Sequence, residues 1–168
     1  QWSLALKAHG RTVAMGIISG SSIESARALW QRDPAPTGRC VVAVPREDAV
    51  ETYVDGQLAA RVPLSKGSVL AAMEDAAIIS YQGHGSRRGW HILEEAHVRA
   101  EDVPPLAEAL VVAGSCQTFQ PWSEGSIALR MVDQGAAAYL GFLHSPIGYT
   151  LGEPKDFPWR YTWLDYPI

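Results

Sequence analysis

Short apolar runs alternate along the chain with stretches whose apolar residues return every three or four positions. Val13-Ala-Met-Gly-Ile-Ile18, Val41-Val-Ala-Val44, Ala77-Ile-Ile-Ser-Tyr81, Ala109-Leu-Val-Val-Ala113 and Ala137-Ala-Tyr-Leu-Gly-Phe142 are of the first kind. Such near-continuous runs suit strands buried on both faces. Three helical patterns lie between them. Ser21 and Glu24 have the spacing of a capping box, and Ile23, Ala26, Leu29 and Trp30 share one face of the helix that follows, which Asp33-Pro34 ends. Ser68 is placed to cap a short helix through Met73 to Asp75. Ser123 is placed to cap a third helix, with Ile127, Ala128, Met131 and Val132 on its apolar face and Gly135 at its end.

One stretch breaks the alternation. Thr52-Tyr-Val54 and Leu58-Ala-Ala-Arg-Val62 flank Asp55-Gly56, a dipeptide that suits a two-residue hairpin turn. It predicts a β-hairpin beside the main sheet and outside it. Residues 86–108 read as a loop with short structured pieces, and residues 143–168 as a loop, a lid or a truncated next element. The whole pattern predicts an α/β fold, with at least five strands in a mostly parallel central sheet and helices on both faces.

Composition narrows the function. With 168 residues, 47% of them hydrophobic and 19% charged, the chain suits one domain with a sizeable core. A formal charge of −4 without a basic stripe argues against nucleic acid as a partner. Nothing approaches the length of apolar sequence that a membrane helix needs. The chain starts at Gln1 and ends in an aromatic-rich stretch, so a fragment of a longer polypeptide with additional domains is expected. Two cysteines, Cys40 and Cys116, are too few for a disulfide scaffold.

Two reactive side chains stand where α/β sheets bind ligands, at the carboxyl ends of strands. His84 follows the strand at 77–81, and Cys116 follows the strand at 109–113. Their separation of 32 positions allows a crossover between parallel neighbours. A thiol attacks as thiolate, and a nearby imidazole can take its proton or protonate a leaving group. Gly83 and Gly85 remove bulk beside His84, so backbone can approach a substrate closely. The backbone N–H groups of Gly85 and Cys116 are candidate oxyanion donors.

The two blocks also carry a family resemblance. Ile78-Ile-Ser-Tyr-Gln-Gly-His-Gly-Ser86, with Trp90 beyond it, resembles the histidine motif of gingipain-like cysteine peptidases. Val111-Val-Ala-Gly-Ser-Cys-Gln-Thr118, then Glu124-Gly125 and Gln134-Gly-Ala-Ala-Ala-Tyr-Leu-Gly141, is similar to their cysteine motif, and both blocks resemble those of CHAT proteases. Histidine before cysteine, each at a strand end, is the order of the caspase–gingipain–legumain superfamily. The resemblance covers about residues 74–145. It implies a caspase-like three-layer sandwich and a cysteine peptidase acting on polypeptides, with Cys116 as nucleophile, His84 as general acid/base, Gly85 contributing to the oxyanion site and no cofactor or metal. The caspase pattern of Gln-Ala-Cys followed by glycine is absent. Cleavage after basic residues is the expectation taken from gingipains. The gingipain side leans to an exported protein and the CHAT side to a cytoplasmic one.

Other readings of these residues compete. A lone cysteine after an apolar strand is more often structural, and Cys40 has no context beyond that. His91 and His97 follow His84, but no recognised zinc-ligand spacing joins them to Cys116. Ser115 or Ser126 as nucleophile would want a Gly-x-Ser-x-Gly elbow, which is missing. His9 and His144 read as surface or packing residues, and Trp159, Tyr161, Trp163 and Tyr166 as packing residues or a groove lining. Glu24, Asp33 and Asp48 are the carboxylates available to support His84, without a motif to choose among them. A non-catalytic or partner-activated scaffold domain on the same fold is the rival to an enzyme.

Overall fold

The computed structural model describes residues 5–8, 11–14, 21–32, 39–44, 48–93 and 96–143. The strand expected at 13–18 contributes its first two residues to β2 (Arg11–Ala14), which forms a two-stranded antiparallel sheet with β1 (Ala5–Ala8). Residues 15–18 lie outside the described residues, as do His9, Asp33, His144 and the aromatic segment beyond residue 143. In chain order there follow α1 (Ile23–Gln31), β3 (Arg39–Val44), β4 (Ala49–Val54), β5 (Gln57–Pro63), α2 (Lys66–Met73) and β6 (Ile78–Gln82). Three short strands come next, β7 (His84–Ser86), β8 (Gly89–His91) and β9 (His97–Arg99), and then β10 (Leu110–Gly114), α3 (Ile127–Asp133) and β11 (Ala138–Leu140).

The central sheet is mixed and has six strands in the order β11-β10-β6-β3-β4-β5. The first four run parallel, and β4 and β5 are antiparallel to their neighbours. Asp55 and Gly56 have φ of 50° and 75°, so the Asp-Gly turn closes β4 onto β5 with both central residues in the left-handed region, as a two-residue hairpin requires. The hairpin does not stand outside the main sheet as expected. Ala49, Val50 and Glu51 lengthen its first strand and pair it with Val44, Ala43 and Val42 of β3. A turn sequence specifies which two strands meet locally; it carries no information about which further edge they join.

The core is built on rows of side chains across the parallel strands. Val41, Ile79 and Val111 are register partners on β3, β6 and β10 and are essentially inaccessible. Burial of each stabilises the fold by about 1.5–3 kcal/mol relative to exposure. In the next row Tyr81 stands between Ala43 and Ala113, whose small side chains leave room for its ring. Met73 of α2 and Ile127 and Met131 of α3 belong to the same core.

The helices begin where their serines can cap them, one to three residues from the expected sites. Ser22, not Ser21, caps α1 by accepting the Ser25 N–H at 3.1 Å. Ser65 caps α2, and Ser68 is the reciprocal partner in that capping box, with bonds of 3.0 and 2.9 Å. Ser126, not Ser123, caps α3. Gly135 does end α3, at φ 120°, where a side chain would run into the Leu106 carbonyl. The expected apolar face of α1 is buried only in part: Leu29 packs against the core and Ala26 is half-buried, while Ile23 and Trp30 are 68% and 76% exposed. Polar bonds to α3 and the turn after it also hold the helix. Ser21 and Ser25 hydroxyls donate to Asp133 at 2.8 and 2.5 Å, and Arg32 donates to the Val132 and Ala136 carbonyls at 2.6 and 2.7 Å. A cation at a helix carboxyl end is favoured by the macrodipole.

Candidate active site

β6 and β10 are adjacent and parallel, and their last register pair is Gln82 with Gly114. His84 and Cys116 each lie two residues beyond that pair. Neighbouring strands run ~4.8 Å apart, so chains leaving them at matched positions start side by side. The two departing segments also touch. A Cβ added to Gly85 would stand 2.7 Å from Ser115 Oγ, 3.1 Å from Ser115 Cβ and 2.9 Å from Thr118 Cγ2. The backbone after His84 is therefore packed against the side chains on either side of Cys116, and only glycine fits there.

After β6 the chain turns at Gly83 into a small antiparallel sheet, β7-β8-β9. Its ladder pairs His84 with His91, Gly85 with Trp90 and Ser86 with Gly89. Tyr81 ties this sheet to the core. Its hydroxyl donates to the His84 carbonyl at 2.6 Å and to the His91 carbonyl at 3.0 Å. Its ring stacks on Trp90, with centroids 4.6 Å apart and planes 7° from parallel. Burial pushes the Tyr81 phenol well above its ordinary value, so it stays a donor at any physiological pH.

The Cys116 turn is held from the other side. Thr118 Oγ1 donates to the Ser115 carbonyl at 3.2 Å, and the Phe119 N–H donates to the Phe142 carbonyl at 3.0 Å. Gln117, next to Cys116, has φ 55°, a left-handed conformation that a non-glycine residue adopts at some cost. Gly141 closes the back of the turn, where a Cβ would meet Thr118 Oγ1 at 2.9 Å. Tyr139 is buried close by, which pushes its phenol up to about 12.

Accessibility separates the two cysteines. Cys116 is a free thiol and partly exposed, and His84 is exposed. Cys40 is a free thiol buried in β3, and burial raises it to about 11. The serines weighed as nucleophiles are buried as well: Ser126 caps α3, and Ser115 faces Gly85 with a hydroxyl that has no hydrogen-bond partner among the described residues.

No carboxylate among the described residues hydrogen-bonds the His84 imidazole. Glu24 is fully exposed in the first turn of α1 and bonded to Ser22, and Asp48 is exposed at φ 48°. The neighbours of His84 are other histidines. His84, His91 and His97 form one row across the small sheet, and the rings of His91 and His97 lie 4.5 Å apart. His91 is held below the usual histidine value, first by burial and then by the charges of His97 and His84. Among the described residues no group of three or more His, Cys, Asp or Glu is placed to hold a metal ion. No described helix is long and apolar enough to cross a membrane.

Two concavities lie away from this pair. An apolar groove of about 320 Å³ runs between α1, α3 and β11, past Trp30 and Phe119. An open hollow of about 770 Å³ lies against the 121–126 loop, with Glu101, Glu124 and Asp133 on its walls. Neither includes His84 or Cys116.

Sequence reasoning singled out His84, Gly85 and Cys116, and the structure brings all three to one edge of the sheet. It missed Tyr81, Thr118 and the backbone of Gln117. A buried tyrosine three residues before a histidine was the one visible signal. No family model matches the chain, and no curated protein matches it.

Proposed function

We propose that the chain is a cysteine endopeptidase domain of the caspase–gingipain superfamily, with that superfamily's three-layer arrangement. The observation that carries the reading is the matched position of His84 and Cys116 beyond the Gln82–Gly114 pair, with Gly85 packed between Ser115 and Thr118.

In this reaction His84 takes the Cys116 proton, and the thiolate attacks the carbonyl carbon of the scissile peptide bond. A carbon–sulfur bond forms, and the carbonyl oxygen becomes an oxyanion held by the Gly85 and Cys116 backbone N–H groups. The intermediate collapses with loss of the carbon–nitrogen bond, and the His84 imidazolium gives its proton to the departing amine. Water, deprotonated by His84, then cleaves the thioester and releases the carboxylate. The partial exposure of Cys116 supports the reading, because a nucleophile must be reached by substrate. Cleavage of a peptide library, lost in Cys116→Ala and retained in Cys40→Ala, tests it. Preference for basic residues before the cut is part of the same proposal, and the library reads it directly.

One observation favours a partner-activated form of the domain. Neither of the two concavities described above includes the pair, and in the partner-activated form the substrate cleft would be completed on binding. Cleavage appearing only after a second protein is added would identify that form.

A further inference from the structure

We infer that Tyr81 is a positioning residue for the candidate acid/base His84: its phenol clamps the histidine-bearing strand onto the central sheet. The inference rests on the peptidase reading and extends it. The register of β6 with β10 ends at Gln82, and His84 opens β7, so Gly83 alone joins the sheet to the histidine strand. Glycine has the softest backbone of any residue and by itself would leave His84 on a swivel. Tyr81 spans that joint from below. It lies on β6, fully buried between Ala43 and Ala113, and its hydroxyl reaches past Gly83 to the carbonyl of His84.

The same hydroxyl reaches the carbonyl of His91, the residue paired with His84 across the small sheet. A phenol has one proton, so it is shared between the two carbonyls, with the shorter contact on His84. Both strands of the hairpin are thereby referred to one atom of the central sheet. The stack of Trp90 on the Tyr81 ring fixes the direction in which that atom points, and Trp90 is itself paired with Gly85. Phenylalanine at 81 would keep ring, stack and volume and remove only the clamp. Catalytic geometry tolerates such slack poorly, since displacement by ~1 Å can cost on the order of 100-fold in rate.

The test uses the full chain with two probes of Cys116. Iodoacetamide needs a reachable thiolate and, used at a pH where the thiol ionises without help, no positioned imidazole. A pool of peptidyl acyloxymethyl ketones, varied at the residue next to the reactive group, needs its carbonyl held between thiol and imidazole. In Tyr81→Phe, iodoacetamide is expected to react at the wild-type rate. The ketone pool is expected to react roughly 10- to 100-fold more slowly, with the loss in the limiting rate and not in the half-saturating concentration. 4-Aminophenylalanine at position 81, whose amine donates to both carbonyls, is expected to restore the rate. 4-Methylphenylalanine, equally long and without a donor, is not, and this pair decides the matter if Tyr81→Phe does not fold. Ketone rates that are the same with and without a donor at position 81 overturn the inference. Failure of the peptidase reading looks different: wild type and His84→Ala would then react with the ketones at one rate, and the clamp would have nothing to position.

Discussion

Gly85 and Ser115 stand so close that a Cβ on the glycine would lie 2.7 Å from the serine hydroxyl, in a place where Thr118 already closes the other side. Gly85→Ala is therefore expected to destabilise the chain by about 1–3 kcal/mol, the usual result of overpacking a close-packed site. It should also slow ketone labelling of Cys116, because the two turns must part to admit the methyl group. Ser115→Gly removes two of the three close atoms and should recover part of both losses in the double variant. Thermal unfolding of the four proteins measures this. Additive effects would show that Gly85 and Ser115 are not in contact.

Gln117 makes a separate prediction about the same turn. Its φ of 55° is natural for glycine and poor for a β-branched residue. Gln117→Gly should leave stability unchanged or raise it slightly, and Gln117→Val should cost about 1–3 kcal/mol. The reverse order in denaturant midpoints would contradict the backbone described for the residue after Cys116.

The cysteines should differ sharply toward alkylation. At pH 8 a thiol raised to about 11, as Cys40 is, is ionised in roughly one molecule in a thousand, and Cys40 is also buried. Mass spectrometry of the native chain after brief iodoacetamide treatment should find the label on Cys116 alone. Label divided between Cys40 and Cys116 before unfolding would show that β3 is more open than described.

His91 links the site to pH. Its folded-state value lies below the ordinary histidine value of 6.5, so the unfolded chain takes up the proton first as pH falls. The residue's contribution to stability is therefore intact above 6.5 and is lost progressively as pH falls from there through the lower folded-state value. Urea midpoints should fall more steeply with acidification in the wild type than in His91→Gln, where the competing charges of His84 and His97 no longer bear on an imidazole at this position. Equal slopes would mean that burial does not hold His91 down.

What the sequence revealed is what an apolar run or a turn dipeptide writes, and what it hid is how those pieces pair and what supports them. The Asp55-Gly56 turn and the strands ending in His84 and Cys116 were legible, because turn dihedrals and apolar runs are written in neighbouring residues. The fate of the hairpin was not. Its attachment to β3 pairs the whole of Ala49–Val54 with Arg39–Val44, the strand just before it in the chain, across residues 45–48, which carry no two-residue turn signal, and a carboxylate such as Glu51 is ordinarily exposed. Glu51 is buried because the Tyr53 hydroxyl donates to it at 2.7 Å and Arg61 lies 3.6 Å away on β5. The face of α1 was legible only in part: Leu29 packs on the core, but Ile23 and Trp30 stay exposed, and Asp133 with the Val132 and Ala136 carbonyls also holds the helix through Ser21, Ser25 and Arg32. In the candidate site the strand ends that carry His84 and Cys116 were legible, and the residues that hold them were not. Tyr81 supports His84 through main-chain carbonyls, which have no signature in a side-chain pattern.

The central claim is that Cys116 and His84 act as one nucleophilic site. Intact-mass spectrometry of the chain treated with the peptidyl acyloxymethyl ketone pool tests it most directly. Wild type and Cys40→Ala should each gain a single adduct at Cys116, Cys116→Ala should gain none, and His84→Ala should react roughly 10²–10⁴-fold more slowly, the range that acid–base assistance supplies. An adduct on Cys40, no adduct in the wild type, or a His84→Ala variant as fast as the wild type would contradict it.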